Sequence, residues 1–331
     1  PRILAELDPH SGYIRAKDAE ASVESLKGSF SGIGVSFTKQ NDTARIISVM
    51  KGGPSEKVGL LAGDRIVNVD GKDITAKEIT AEDCMKLMKG KKGTKVKLGI
   101  QRMGEKKPLY YTITRGDIPV HSIEATYMLT PETGYVKIKS FSETTYPELL
   151  VALAELNQKG FKNLVIDLRD NTGGIMQTAI QMANIFLPKN RLILYGRGAF
   201  PNLPLTVLVN EGSASASEIF AGAIQDNDRG TIIGRRTYGK GLVQQPIEFR
   251  DGSMIRLTIA RYYTPSGRCI QKPYEKGHGE EYENDLIERY ERGEFFSQDS
   301  IKQSSPQFKT RLGRTVYGSG VIMQDIFVPE D

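Results

Sequence analysis

The spacing of apolar residues divides the chain into two parts near residue 115. Between residues 30 and 115, short apolar runs at 44–49, 64–69, 96–101 and 109–114 are separated by glycine-containing turns, which is typical of β-strands. An amphipathic helix interrupts them at residues 80–88, with Ala81, Cys84, Met85 and Met88 on one face. This part therefore predicts a compact, mainly-β module.

The apolar pattern of the second part is of a different kind. Continuous apolar runs at 164–168 and 205–209 are each followed by a polar, glycine-containing loop and then by a predicted helix. Strand–loop–helix units in series indicate a parallel sheet with helices packed on it. Residues 231–263 predict further strands, and residues 316–328 could return as a strand. Residues 1–27 are polar and predicted to be helical, with a turn near residues 8–12.

Composition and charge exclude several classes of protein. The formal net charge is +5 over 331 residues and shows no clustered basic stripe, so nucleic acid is not an expected partner. No apolar run is long enough to span a membrane. The two cysteines, Cys84 and Cys269, form no metal signature or disulfide framework, although a bond between them stays open. The three histidines lack metal-ligand spacing, and we expect neither a metal nor a cofactor.

Two polar loops that follow apolar strands carry the candidate chemistry, because α/β sheets place their sites in such loops. Ser215 lies between a predicted strand and a predicted helix, where a hydroxyl and free backbone N–H groups would be exposed. Acyl transfer requires both a nucleophile and donors aimed at an oxyanion. Gly173 and Gly174 on the neighbouring loop offer further N–H groups. From these residues alone, Ser215 could equally be a helix cap.

A serine nucleophile requires a base, and Lys240 is the better candidate. The nearest histidines in the sequence lie 94 positions before Ser215 and 63 after it, in predicted connectors. Gly239 and Gly241 flank Lys240, and burial without a carboxylate partner would lower the pKa of its amine. Gln244 would share a strand face with Lys240 and could orient the amine if the chain bends at Gly241. A lysine between glycines is also often a solvated turn residue.

Taken together, these loops resemble those of the C-terminal processing peptidases, or tail-specific proteases, of serine peptidase family S41. Five motifs in the family's order carry the resemblance: Leu7-Asp8-Pro9-His10-Ser11, the loop 167–174, the stretch 213–226, Gly239-Lys240-Gly241 with Val243-Gln244-Gln245, and Tyr262-Tyr263-Thr264-Pro265-Ser266-Gly267.

The resemblance implies a role for each candidate residue. Ser215 would be the nucleophile, Lys240 the general base and Gln244 its orienting partner, at spacings of 25 and 4 that match the family. The oxyanion donors would be the N–H groups of Gly174, or Gly173, and of Ala216. Ser213 and Ser217 would be loop and cap residues.

The implied fold is α/β, with a crotonase/ClpP-like catalytic core, an inserted mainly-β PDZ domain and a small N-terminal helical segment. The expected ranges are 1–29 for the helical segment, 30–115 for the PDZ domain and 116–331 for the core including a C-terminal strand. The loop of Gly32, Ile33, Gly34 and Val35 resembles the PDZ loop that holds a peptide carboxylate.

The resemblance further implies a serine endopeptidase that captures C-terminal tails through its PDZ domain and cleaves them through an acyl-enzyme. Its partners would be proteins or peptides with apolar C-termini, and homo-oligomerisation is left open. The location would be extracytoplasmic, in the periplasm or cell envelope, with a signal or anchor outside this chain. Two other functions stay open: a catalytically silent PDZ scaffold that binds peptides, and an acyl-CoA hydratase or lyase with a related core.

Overall fold

The computed structural model describes residues 4, 6–40, 42–188, 199–301, 306–318 and 320–330; for residues 20 and 40 it describes the backbone only. Contacts divide the chain into two compact units. One comprises Pro1–Gly28 with His121–Asp331, and the other comprises Ser29–Val120.

The unit Ser29–Val120 is built on antiparallel strands, as the sequence predicts. One sheet has the strand order Val35–Gln40, Thr43–Val49, Arg65–Val69, Lys95–Gln101 and Leu109–Thr114, with Lys72–Asp73 paired to Arg65–Val69. Its core includes the fully buried side chains of Ile46, Ile66 and Leu98. A separate ribbon pairs Ser29–Gly32 with Gly116–Pro119. Because of this ribbon, the compact unit extends beyond residues 30–115. The limits 30–115 for the PDZ domain stay a prediction.

Two helices complete this unit, Pro54–Lys57 and Ala81–Met88. The second begins after Thr80, whose hydroxyl accepts from the N–H of Asp83 at 3.2 Å. The Asp83 carboxylate in turn accepts from the N–H of Thr80 at 2.9 Å, which forms a capping box. Of the predicted face, Cys84 and Met88, which are four residues apart, are buried and point into the core, whereas Ala81 and Met85 are exposed.

The larger unit contains the predicted parallel sheet. Its strand order is Ile123–Thr130, Thr133–Ile138, Asn163–Asp167, Leu205–Val209, Thr231–Gly234 and Ile326–Phe327. The first pair is antiparallel and the remaining pairs are parallel. The α/β class and the β-rich module are thereby confirmed. Of the predicted strand 316–328, only Ile326–Phe327 joins this sheet; Thr315–Tyr317 pairs with Gln307–Lys309.

The helices of the larger unit are Ala16–Lys27, Thr145–Gln158, Met176–Phe186, Ala216–Asp226 and Gly279–Glu291, with a 3-10 turn at Gln298–Ser300. All eleven residues of Ala216–Asp226 are buried, so its polar side chains must find partners inside the protein. No helix in the described part of the chain is long and apolar enough to cross a membrane. Cys84 and Cys269 are both free thiols.

The N-terminal segment is only partly helical, which corrects the prediction for residues 1–27. Gly12–Ile14 is a strand at the edge of a three-stranded antiparallel sheet with Met254–Arg261 and Leu242–Glu248. A three-residue strand whose hydrogen bonds come from a partner about 240 positions away leaves no periodic signal in its own sequence. This sheet carries the predicted residue Gln244.

Candidate active site

Ser215 occupies a strained turn between a parallel strand and a buried helix. It follows the strand Leu205–Val209 and is the N-cap of Ala216–Asp226. Its φ of 54° and ψ of −111° lie outside the regions that a residue with a Cβ normally adopts. Such strain persists only where the surrounding structure enforces it, and it is common at active sites. Ser215 is partly exposed.

The neighbouring serines are occupied by structural hydrogen bonds. The Ser213 hydroxyl donates to the carbonyl of Leu168 at 2.7 Å, and the Ser217 hydroxyl donates to the carbonyl of Asn171 at 2.8 Å. Both serines are fully buried. Of the three, Ser215 is the one whose side chain a substrate could reach.

The glycine loop lies directly against the Ser215 turn. A Cβ on Gly173 would lie 2.8 Å from the Ser215 Cβ and 2.9 Å from the backbone nitrogen of Ala216. A Cβ on Gly174 would lie 2.0 Å from the carbonyl oxygen of Phe141, so no other residue fits there without moving the backbone. Gly173 and Gly174 also have φ values of 100° and 142°, which favour glycine.

The two glycines differ in the use of their N–H groups. The Gly173 N–H donates to Asn171 Oδ1 at 2.9 Å. Within the part of the chain that the structure describes, the N–H groups of Gly174 and Ala216 have no recorded acceptor. These two donors are therefore better suited to an incoming oxyanion than Gly173 is.

Buried polar groups support the glycine loop at both ends. The fully buried Asn171 side chain also donates to the carbonyl of Ile138 at 2.8 Å. At the start of the loop, the buried Asp167 carboxylate accepts from Arg169 at 2.7 Å and from the Tyr135 hydroxyl at 2.6 Å. Burial alone would raise the pKa of Asp167, but these hydrogen bonds lower it below its usual value.

Glu218 joins the Ser215 turn to the Lys240 loop. Its fully buried Oε2 accepts from the N–H of Ser215 at 2.9 Å and from the N–H of Lys240 at 2.8 Å. Its Oε1 accepts from the Thr237 hydroxyl at 2.5 Å and from the Gly239 N–H at 2.7 Å. Burial raises the pKa of Glu218 to about 7, although the four hydrogen bonds oppose that rise. The sequence analysis missed this role, although a Ser-x-x-Glu spacing is a recognised helix-start signal.

Lys240 lies at a tight bend of the chain and is partly buried. A Cβ on Gly239 would lie 2.2 Å from the carbonyl oxygen of Gly320, and one on Gly241 would lie 2.5 Å from the nitrogen of Gln271. Both flanking positions therefore require glycine.

The environment of Lys240 favours the neutral amine. Burial lowers the pKa of Lys240, and the positive charge of Arg256 lowers it further. The negative charges of Glu218 and Asp8 oppose this shift. The described residues provide no hydrogen bond or ion pair to Lys240 Nζ, so the structure does not join it to the Ser215 hydroxyl. Glu218 brings the backbones of the two residues together, but no hydrogen bond in the described part of the chain joins Lys240 Nζ to Ser215 Oγ.

Gln244 contacts a residue other than the predicted one. Its side-chain amide donates to the carbonyl oxygen of His10 at 2.6 Å. The strand has a bulge between Val243 and Gln244, and Gln244 pairs with Thr258. No hydrogen bond from Gln244 to Lys240 occurs among the described residues.

His10 is the other neighbour, and the sequence analysis gave it no role of its own beyond a predicted turn and the motif at residues 7–11. Its Nε2 lies 2.8 Å from the Tyr282 hydroxyl, and the two rings pack edge to face at 5.0 Å. Burial lowers the pKa of His10 to about 4, and the positive charge of Lys240 contributes to that shift. The imidazole is therefore neutral at physiological pH.

The predicted PDZ loop offers unused backbone donors next to a free strand edge. The carbonyls of Ile33 and Gly34 accept from Ser55 at 3.0 Å and from Met50 at 2.9 Å, while the N–H groups of Ile33 and Gly34 have no recorded acceptor in the described chain. Gly32 pairs with Gly116, and Val35 opens the edge strand of the sheet. This edge is able to accept an added peptide strand.

A cleft of about 770 Å³ lies elsewhere in the larger unit, and Lys272, Tyr282 and Asp285 are among the residues that line it. Neither Ser215 nor Lys240 lines the cleft. Across the described residues, no group of three His, Cys, Asp or Glu side chains is placed to hold a metal ion.

Two family models match the chain, one in each unit. The model described as peptidase family S41 matches residues 132–277, and the model described as PDZ domain matches residues 31–112. Together they contain Ser215, Glu218, Lys240, Gln244 and the two glycine loops at 32–35 and 171–174, whereas His10 and Tyr282 lie outside both.

The curated relatives that match the chain are named carboxy-terminal processing proteases. A carboxy-terminal-processing protease of Bartonella bacilliformis is 38% identical over 288 residues, covering 81% of this chain and 65% of the relative. Carboxy-terminal processing protease CtpA of Bacillus subtilis is 38% identical over 278 residues, covering 80% of this chain and 59% of the relative. The chain thus spans less than two thirds of the length of these relatives.

Among solved structures, a photosystem II D1 C-terminal processing protease matches with 30% sequence identity and a TM-score of 0.43, covering 80% of this chain and 75% of that one.

Proposed function

The chain belongs to peptidase family S41 and carries a PDZ domain, and from this premise we propose that it is a serine endopeptidase that cleaves proteins near their C-termini by a Ser-Lys mechanism. The observation that carries the proposal is the pair of hydrogen bonds to the Glu218 carboxylate. Its Oε2 accepts from the N–H of Ser215 at 2.9 Å and from the N–H of Lys240 at 2.8 Å. A shared buried acceptor fixes the nucleophile's turn against the base's loop.

In the proposed first step, neutral Lys240 takes the proton of the Ser215 hydroxyl as its oxygen attacks the scissile carbonyl. Burial and the charge of Arg256 favour that neutral amine. The step requires the hydroxyl and the amine to approach within about 2.6–3.2 Å, which side-chain rotation on substrate binding would supply.

The N–H groups of Gly174 and Ala216 would stabilise the oxyanion of the tetrahedral intermediate, because neither is used inside the described chain. The C–N bond then breaks, and Lys240 returns its proton to the leaving amine. Water then attacks the acyl-enzyme while Lys240 accepts its proton. The bond between the acyl carbon and the Ser215 oxygen breaks, Lys240 returns the proton to that oxygen, and the new C-terminus is released. Gln244, whose side-chain amide donates to the His10 carbonyl oxygen, would orient the Lys240 amine.

The proposed substrates are proteins with an apolar C-terminal tail, bound by the PDZ domain. The free N–H groups of Ile33 and Gly34 suit a terminal carboxylate, and the edge strand Val35–Gln40 suits an extended tail. An extracytoplasmic location and homo-oligomerisation belong to the same proposal and rest on the family resemblance.

Cleavage of an unstructured protein with an apolar C-terminus tests the proposal. The native chain would be compared with Ser215→Ala and Lys240→Ala, and with Lys276→Ala as an exposed lysine in the same unit. We expect the first two variants to fold and lose cleavage, and the control to keep it. If peptide binding persists while the native chain shows no cleavage, with or without an added C-terminal peptide, the chain is a silent PDZ scaffold.

A further inference from the structure

The turn at residues 8–11 is rigidly attached to the sheet that carries Gln244. Asp8 Oδ1 accepts from the N–H groups of His10 and Ser11, both at 2.8 Å, and Asp8 Oδ2 accepts from the Ser11 hydroxyl at 2.5 Å. The Ser11 oxygen then accepts from the Thr258 N–H at 3.1 Å. Asp8 and Ser11 are both buried, so this turn is part of the fold and holds His10 in one position.

His10 uses its backbone and its ring for different contacts. Its carbonyl oxygen accepts from the Gln244 amide at 2.6 Å, which fixes the orientation of that side chain. Its Nε2 lies 2.8 Å from the hydroxyl of Tyr282. Burial raises the pKa of Tyr282, so the hydroxyl stays protonated and can donate to the ring nitrogen.

The Tyr282 hydroxyl extends this network to both sides of Lys240. It accepts from Gln271 Nε2 at 3.0 Å and lies 3.4 Å from the carbonyl oxygen of Gly239. Gln271 Oε1 accepts from the Gly241 N–H at 2.9 Å. The residues before and after Lys240 therefore contact the same network that holds the His10 ring.

Charged groups reach this region from every side. The N-terminal turn provides Asp8, the buried helix provides Glu218, and the strand Met254–Arg261 provides Arg256; all three act on Lys240. His10 faces the charges of Lys240, Asp8, Lys272 and Arg256, and it packs against the rings of Tyr238 and Tyr282. The uncharged imidazole adds neither a further positive charge nor a neutralising one to this group.

We propose that His10 is a positioning residue of the catalytic site: its carbonyl orients Gln244, and its ring supports the Lys240 loop through Tyr282. This inference rests on the proposed function, since it assigns His10 a role toward the base of that mechanism. It also makes the N-terminal turn an integral part of the site, although His10 lies 205 positions before Ser215.

The test measures the pKa of Lys240 directly in the inactive Ser215→Ala chain. The rate at which trinitrobenzenesulfonate modifies Lys240 is followed by peptide mass spectrometry from pH 6 to 11. His10→Ala should raise the pKa of Lys240 by at least about half a unit, because a Lys240 loop without this support lets water reach the amine. His10→Phe, which keeps the ring volume, should leave it within about 0.2 unit. Equal pKa values for His10→Ala and the parent, or equal shifts in both variants, would overturn the proposal.

Steady-state kinetics on the chains with Ser215 restored supply the second readout. His10→Ala should move the acid limb of the kcat/KM profile to higher pH, by the same number of pH units as the Lys240 pKa, and lower kcat at least about 10-fold. His10→Phe should lower kcat without moving the limb, and Tyr282→Phe should behave in the same way. His121→Ala, an exposed histidine, should match the native chain. A pH-independent loss in all three variants would reduce His10 to a structural role.

The two readouts separate the inference from the proposed function. A native chain without cleavage contradicts the proposed peptidase, yet the modification experiment still decides whether His10 positions the Lys240 loop. Normal cleavage by the native chain with an unmoved Lys240 pKa in His10→Ala leaves the peptidase intact and removes only the role of His10.

Discussion

The buried carboxylate of Glu218 accepts a hydrogen bond from the backbone N–H of Lys240 at 2.8 Å, and the same oxygen accepts from the N–H of Ser215 at 2.9 Å. Glu218 lies three positions after Ser215 on the same helix turn, but 22 positions before Lys240. The distance between the Ser215 turn and the Lys240 loop is therefore set by one side chain, that of Glu218.

Replacing Glu218 with glutamine should lower both activity and stability. A glutamine keeps the volume but presents an NH₂ group either to the N–H groups of Ser215 and Lys240 or to the Thr237 hydroxyl and the Gly239 N–H, and that pair of donors then loses its acceptor. We expect a loss of about 2–4 kcal/mol in the free energy of unfolding, from two buried hydrogen bonds. The kcat should fall at least about 10-fold because the turn and the loop separate. Urea denaturation and initial rates of cleavage measure the two effects.

The matched control for this change is Glu280→Gln, an exposed glutamate at the start of the helix Gly279–Glu291. It should leave both quantities unchanged within about 0.5 kcal/mol. A Glu218→Gln chain with native kcat would show that Glu218 does not position the two residues.

The raised pKa of Glu218 predicts a pH dependence of stability. In the folded chain the pKa is about 7, against 4.5 for the unfolded residue, so the folded state binds this proton more tightly between those values. The stabilisation is complete below pH 4.5 and is lost as pH rises toward 7. From pH 5 to pH 7 it should fall by about 2 kcal/mol.

The measurement compares urea denaturation of the native chain and Glu218→Gln at pH 5 and pH 7. The difference between the two chains cancels the other titrating groups. A difference that is the same at both pH values would mean that Glu218 is ionised throughout and that its four hydrogen bonds outweigh its burial.

Arg256 should control the pH at which the enzyme becomes active. Its positive charge lowers the pKa of Lys240, so Arg256→Gln should raise that pKa and move the acid limb of kcat/KM to higher pH. We expect a shift of about 0.3–1 pH unit that shrinks in 1 M salt, because exposed charges are screened. Arg250→Gln, in the adjoining turn, should leave the profile unchanged. An unmoved limb in Arg256→Gln would mean that burial alone sets the Lys240 pKa.

The PDZ loop should affect the capture of substrates and not the chemistry. In Gly34→Ala the new Cβ would lie 3.2 Å from Ile118 at a φ of 76°, which should distort the loop and its N–H groups. We expect a KM several-fold higher for a protein with an apolar C-terminus, and native cleavage of a short peptide that lacks such a tail. Gly71→Ala provides the control, with a similar φ of 85° in open space. Equal KM values for the two variants would argue against tail capture.

The sequence predicted the sheet and both polar loops because each signal is local. Ser215 and Gly174 follow apolar strands, and parallel strands bring such loops to one edge. The link through Glu218 could not be predicted, because its two partners come together only in the folded chain. The contact between His10 and Gln244 spans 234 positions and depends on a three-residue strand without periodicity. The choice between Gly173 and Gly174 likewise depends on the Asn171 side chain, whose hydrogen bond no spacing reveals.

Trapping the nucleophile with a fluorophosphonate tests the central claim most directly. The native chain is incubated with the probe across pH 6–10, and the modified residue is located by peptide mass spectrometry. A Ser-Lys peptidase should carry one adduct, on Ser215, that forms faster as Lys240 loses its proton and is lost in Lys240→Ala. An adduct on another serine, or labelling of Ser215 that is unaffected by Lys240→Ala, would contradict it.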